Sequence, residues 1–119
     1  MEGNEVTVMF KVFQICDCDW VAARSKEEAI EWYLKKTGLD KEEIYEEPEE
    51  CSLDNTMYDY YEGDDYDFIY QKCKANGGTI EYNGRKFIAY DGLQVLTTFR
   101  EVLEKKHPKS PFIIATEYY

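Results

Sequence analysis

Apolar and other residues alternate near the start of the chain, where Val6, Val8, Phe10 and Val12 are separated by Thr7, Met9 and Lys11. Successive side chains of a strand point to opposite faces, so this period of two predicts a half-buried strand, and FKVFQI carries it on to Ile15. CDCD at 16–19 turns the chain into a short second strand, Trp20 to Ala23. The period then changes, with Ala29, Ile30, Tyr33, Leu34 and Thr37 recurring along one helical face. Ser25 followed by Glu28 has capping-box spacing, and Gly38 is a C-terminal stop, so a helix is expected from Lys26 to Thr37.

Asp40 with Glu43 has the same spacing and predicts a short helical turn ending before Pro48. SLDNTMY fits a strand or an irregular connection, and YEGDD fits a turn. DYDFIYQKCKA at 65–75 reads as a helix capped by Asp65, with Phe68, Ile69 and Lys72 to Cys73 along one side and Asn76-Gly77-Gly78 at its end. The alternation of Tyr66, Phe68 and Tyr70 also permits a strand there. TIEYNGRKFIAY places Asn83-Gly84 between two β-prone arms, a strong hairpin signal because both turn residues take positive φ. Leu96, Phe99, Val102 and Leu103 mark a last helix ending near Lys106, closed off by Pro108 and Pro111. FIIATEYY is the final strand, and its continuous apolar run predicts an interior place beside the first strand. The sum is a single α+β domain over residues 1–119. It has an antiparallel or mixed sheet of four to six strands with two to three helices packed on one face.

Charge changes this picture more than composition does. The chain has 119 residues, 44% of them hydrophobic and 16% aromatic, and a formal charge of -11. From Asp40 to Asp67, thirteen acidic residues stand against one basic residue, Lys41, a net -12 that leaves the rest of the chain at +1. A near-neutral scaffold therefore carries one acidic segment. No apolar run is long enough to span a bilayer, and MEGNEVTVMF lacks the basic start and apolar stretch of a signal peptide. The expectation is a soluble intracellular protein, with Cys16, Cys18, Cys51 and Cys73 as free thiols.

Catalytic chemistry finds little support in these residues. A Cys–His nucleophile would have to use His107, whose neighbours are lysines and prolines. Cys16 and Cys18 have one residue between them, whereas paired zinc-binding cysteines have two to four, so CDCD reads as alternating side chains at a strand end and no metal or cofactor is assigned. The register of Gly63 does not fit a calcium loop, and Gly77-Gly78 follows a helix instead of preceding one, unlike a phosphate cradle. Direct nucleic-acid binding is opposed by the overall charge. A local exception is Arg85, Lys86 and Arg100, which with Tyr82, Phe87 and Tyr90 nearby form an alternative site for a nucleotide.

The stretch SLDNTMYDYYEGDDYDFIY at 52–70 holds the principal candidates: Asp59, Tyr60, Tyr61, Glu62, Asp64, Asp65, Tyr66 and Asp67. Tyrosines are rigid amphipathic anchors and carboxylates steer association, a combination suited to a basic partner protein. On an extended backbone, at about 3.3 Å per residue, these carboxylates would approach the spacing of phosphates along one DNA strand, about 3.4 Å. The plainer alternative is a solvated acidic face whose tyrosines pack onto the core with their hydroxyls in water.

Three pieces of the chain, DCDWVAARSKEEAIEWYLKKTGL at 17–39, EECSLD at 49–54 and TFREVLEKKHPKSPFIIATEYY at 98–119, resemble small acidic proteins encoded by phages and prophages of Firmicutes. The likeness covers about half the chain, and its motifs are structural. It implies a non-enzymatic anti-defence inhibitor of the anti-CRISPR kind, acting by stoichiometric binding to a basic nucleic-acid-binding surface of a host protein or ribonucleoprotein complex such as a CRISPR effector. Alternatives are a nucleotide-sequestering protein and a small structural protein of a phage, with a homodimer left open. The acidic stretch from Thr56 to Tyr66 lies outside the matched pieces.

Overall fold

A computed structural model of the chain describes residues 9–117; the alternation expected at Val6 and Val8 lies outside the described residues. The fold is α+β, and the described residues form eight strands in two antiparallel four-stranded sheets and three α-helices. In chain order the elements are β1 (Lys11–Gln14), β2 (Asp19–Ala23), α1 (Lys26–Thr37), a 3-10 turn (Lys41–Glu43), β3 (Glu49–Cys51), β4 (Thr56–Tyr60), α2 (Tyr66–Ala75), β5 (Thr79–Tyr82), β6 (Arg85–Ala89), β7 (Leu93–Thr98), α3 (Phe99–Lys106) and β8 (Phe112–Thr116).

The first sheet has the order β3-β1-β2-β8. Phe10, Val12, Ala22 and Ile114 pack on one face against Phe99 and Val102 of α3. Phe13, Ile15, Val21 and Ala23 pack on the other against Ala29 and Tyr33 of α1. With both faces covered, neighbours in sequence are buried together, as at Val12-Phe13 and Val21-Ala22-Ala23, each side chain contributing about 1.5–3 kcal/mol where it is large. Helix α1 has the predicted bounds: Glu28 N–H donates to Ser25 Oγ at 3.1 Å, and Gly38, at φ +76°, donates its N–H to Leu34 O. The last strand departs from expectation. β8 pairs with β2 at the sheet edge, not with β1 in the interior, because Ile114 alone of its residues is buried while Ile113 stays exposed.

The second sheet has the order β4-β7-β6-β5, and α2 covers one face of it. Ile69 and Cys73 of α2 are fully buried against Phe87, Leu93 and Val95, whereas Phe68, expected on the same side, is half exposed. The β5–β6 hairpin turns at Asn83 (φ +52°) and Gly84 (φ +76°), as predicted. Strand β7 is a correction. Leu96, read as the start of the last helix, lies in a strand whose residues alternate between buried and half-buried, with Leu93, Val95 and Thr97 facing inward. No loop separates it from α3, because Thr98 ends the strand and caps the helix, accepting the Glu101 N–H at 3.2 Å.

Helix α3 joins the two sheets. Its Phe99 and Val102 enter the core of the first, while its first amides, Phe99 N and Arg100 N, donate to Asn55 O (3.1 Å) and Leu53 O (2.9 Å) in the connection between β3 and β4. Those amides would otherwise be orphaned at the helix start.

Candidate functional site

The acidic segment is not one continuous surface. It runs through the 3-10 turn and β3 at the edge of the first sheet, crosses to β4 at the edge of the second, and ends in α2. Basic residues from outside it neutralise part of its charge: Lys11 pairs with Glu50, Lys26 with Glu47, Arg100 with Asp54 and Lys105 with Asp59. These pairs are largely exposed, so solvent and salt screen them and each adds little to stability.

The eight principal candidates separate into inward and outward groups. Tyr61 lies edge-on to Phe87 with ring centroids 5.1 Å apart, and its hydroxyl donates to Asp65 Oδ1 at 2.6 Å. That hydrogen bond is the main cause of the upward pKa shift of the Tyr61 hydroxyl. Asp65 stands at the N-cap position of α2, yet its carboxylate holds Tyr61 instead of a helix amide. Tyr66 stacks on Tyr70 at 5.8 Å, and its hydroxyl accepts the backbone N–H of Leu93 at 3.1 Å. Asp59 is bonded to Lys105 at 3.0 Å. These four side chains build the second sheet and its junction with α3.

Glu62, Asp64 and Asp67 are exposed, and among the described residues none has a basic partner within ion-pair distance. Tyr60 is 54% exposed and donates to Asp91 Oδ2 at 3.3 Å. This contact brings in the turn between β6 and β7, where Tyr90 is 67% exposed and Asp91 is exposed at φ +53°. One end of the second sheet thus presents Tyr60, Tyr90, Glu62, Asp64 and Asp91, with no basic residue in either connecting segment, 59–67 or 90–92. Tyr90 and Asp91 were missed as members of this surface. The available signal was Asp91-Gly92, a second turn dipeptide between β-prone arms, which brings YDG beside YYEGDD. The carboxylates do not follow one extended backbone, because β4 ends at Tyr60, residues 64–65 form a turn and α2 begins at Tyr66.

The basic alternative is not assembled. Arg85 pairs with Glu101 at 3.5 Å and Arg100 with Asp54 at 3.1 Å, and the two line different concavities. Lys86 follows Arg85 in β6, so it projects from the opposite face of the sheet. A groove of about 580 Å³ between the sheets is lined by Trp20, Thr56, Tyr58, Gln94, Leu96 and Thr116 among others, with no histidine, cysteine or basic residue in its wall. His107 caps the C-terminus of α3 in the left-handed conformation, and the concavity it lines, with Phe10, Leu53 and Leu103, holds no cysteine.

The cysteines are all free thiols, and two of them meet. Cys16 and Cys18 do not alternate across a strand, because β1 ends at Gln14 and β2 starts at Asp19, leaving both in the hairpin loop. Their sulfurs stand 3.8 Å apart, and Cys16 Sγ lies 3.7 Å from the Tyr33 hydroxyl, which donates to Asp19 Oδ2 at 2.5 Å. Burial, with the neighbouring Asp19 adding to it, raises the pKa of Tyr33 far above its ordinary value. The thiol of Cys18 is also pushed up, first by desolvation and then by its contact with Cys16. Cys73 is buried in the core on the inner side of α2, and Cys51 packs beside α3.

No helix among the described residues is long and apolar enough to cross a membrane. The chain matches no protein-family model, no curated protein and no solved structure.

Proposed function

We propose that the protein is a non-enzymatic binding protein whose acidic, tyrosine-bearing end of the second sheet docks on a basic surface of a nucleic-acid-handling complex. The observation that carries this reading is the grouping of exposed rings with carboxylates that have no basic partner among the described residues, Tyr60 and Tyr90 beside Glu62, Asp64 and Asp91. Two exposed tyrosines supply contact area with little side-chain entropy to lose, and the surrounding negative charge accelerates encounter with a basic groove and disfavours acidic partners. A domain with a formal charge of -11 would compete with nucleic acid for such a groove through net field, without reproducing phosphate spacing. The partner we propose is a bacterial defence complex, specifically a CRISPR effector inhibited by occupancy, as the resemblance of the sequence to phage proteins implies.

The test is target-DNA binding by a purified CRISPR effector ribonucleoprotein, measured by gel shift with and without stoichiometric protein. Inhibition should weaken as salt rises. The triple variant Glu62→Gln, Asp64→Asn, Asp67→Asn should lose inhibition by tenfold or more while keeping the wild-type circular dichroism spectrum. Asp65 is left intact because it holds Tyr61. Inhibition that is unaffected by the triple substitution would remove the acidic surface from the mechanism.

A further inference from the structure

From the loop joining β1 to β2, we infer that the protein binds one thiophilic divalent cation of the zinc class through Cys16 Sγ, Cys18 Sγ and a carboxylate oxygen of Asp19. The three donor atoms lie within 4.8 Å of one another. The sulfur separation is compatible with joint ligation and is also that of two thiols in contact. Two thiolates on one tetrahedral zinc, each at about 2.3 Å, stand about 3.8 Å apart, which is the separation found. A disulfide would require the sulfurs to close to about 2.05 Å. A sulfur and an oxygen on the same zinc stand about 3.5 Å apart, and the Asp19 carboxylate oxygen falls within 4.8 Å of both sulfurs.

The surroundings hold these donors as an outer shell would. Asp19 Oδ2 accepts from the Tyr33 hydroxyl, and Asp19 Oδ1 accepts from Thr116 Oγ1 at 2.7 Å, so both oxygens are oriented from elements remote in sequence. Such partners fix the direction of a ligating carboxylate. The loop backbone is tied as well: Ile15 N–H donates to Asp19 O at 3.0 Å and Glu117 N–H to Cys18 O at 2.8 Å. Two-to-four-residue spacers suit ligands on a knuckle, whereas here a one-residue spacer suffices because both cysteines lie in a hairpin loop. Binding exchanges two thiol protons for one divalent ion, whose charge compensates the two thiolates, and Asp19 adds one further negative charge. The fourth tetrahedral position is left to water or to an exogenous donor, which distinguishes this site from a closed four-cysteine one.

Cobalt(II) titrated into the reduced, full-length protein without oxygen is the direct test. The expected result is one equivalent bound, with thiolate-to-cobalt charge-transfer absorption and the intense visible bands of tetrahedral cobalt, both displaced by zinc. Cys16→Ser and Cys18→Ser should each lose charge-transfer intensity, whereas Cys51→Ser should keep it. Tyr33→Phe should keep the spectrum and weaken affinity about tenfold, as loss of an outer-shell partner does. The wild-type charge-transfer intensity itself counts bound thiolates, so the result stands even if a serine variant does not fold. Absence of charge transfer in the wild type, octahedral cobalt bands, or a spectrum that persists in the Cys16→Ser, Cys18→Ser double variant would overturn the site.

Discussion

The two sheets have the same number of strands and the same antiparallel pairing, yet the first is covered on both faces and the second on one. In the first, α1 and α3 pack on opposite faces, and its inner strands carry consecutive buried residues. In the second, α2 lies on the Phe87–Val95 face, and the opposite face presents Tyr58, Tyr60, Ile88, Gln94 and Leu96 at partial or full exposure. The difference separates two kinds of chemistry. A covered sheet can support a small polar site only where its loops escape the helices, as at Cys16, Cys18 and Asp19. An open sheet can present aromatic and acidic groups to a partner, as at Tyr60 and Tyr90.

The strongest way to break this comparison is at the element the sheets share. Phe99→Ala removes a ring that is 3% exposed at the seam and should cost about 3–5 kcal/mol. Urea unfolding should remain a single transition at a lower midpoint, with near-UV and far-UV signals coincident. Two separated transitions would mean that the sheets fold as independent units. A matched pair of substitutions then compares covered and open faces. Val21→Thr places a hydroxyl in the fully buried interior of the first sheet and should cost about 1–3 kcal/mol. Ile88→Thr, on the outward face of the second, should cost about 0.5 kcal/mol or less. Equal losses by thermal denaturation would show that the open face is covered in solution. The smallest effect is expected at the exposed pair between α3 and β4, where Lys105→Gln should change stability by about 0–1 kcal/mol, less as salt is added.

Local signals were legible wherever a few adjacent residues carried the physical cause. Ser25, Glu28 and Gly38 bound α1 because caps act within one turn, and Asn83-Gly84 set the β5–β6 hairpin because positive φ is a property of those two residues. Strand β7 was hidden because Leu96 and Phe99 have helical spacing and strand passes into helix without a loop. Asp40 and Asp65 occupy cap positions but make no side-chain cap bond, since the turn at 41–43 is short and Asp65 is taken by Tyr61. The candidate surface was legible in its charge and its tyrosines, but not in its division, because nothing local tells that Tyr61 and Tyr66 face Phe87 and Leu93 while Tyr60 meets Asp91.

By itself, the sequence determined the α+β class, the bounds of α1 and the segregation of negative charge into one segment. Each of these depends on composition or on residues within a few positions of one another. The tertiary structure alone decided that the strands form two sheets, that β8 lies at an edge, and that Thr116 and Tyr33 converge on Asp19 beside two cysteines. Those outcomes depend on which apolar faces bury one another across tens of residues, a competition among long-range pairings that no short window of the chain contains.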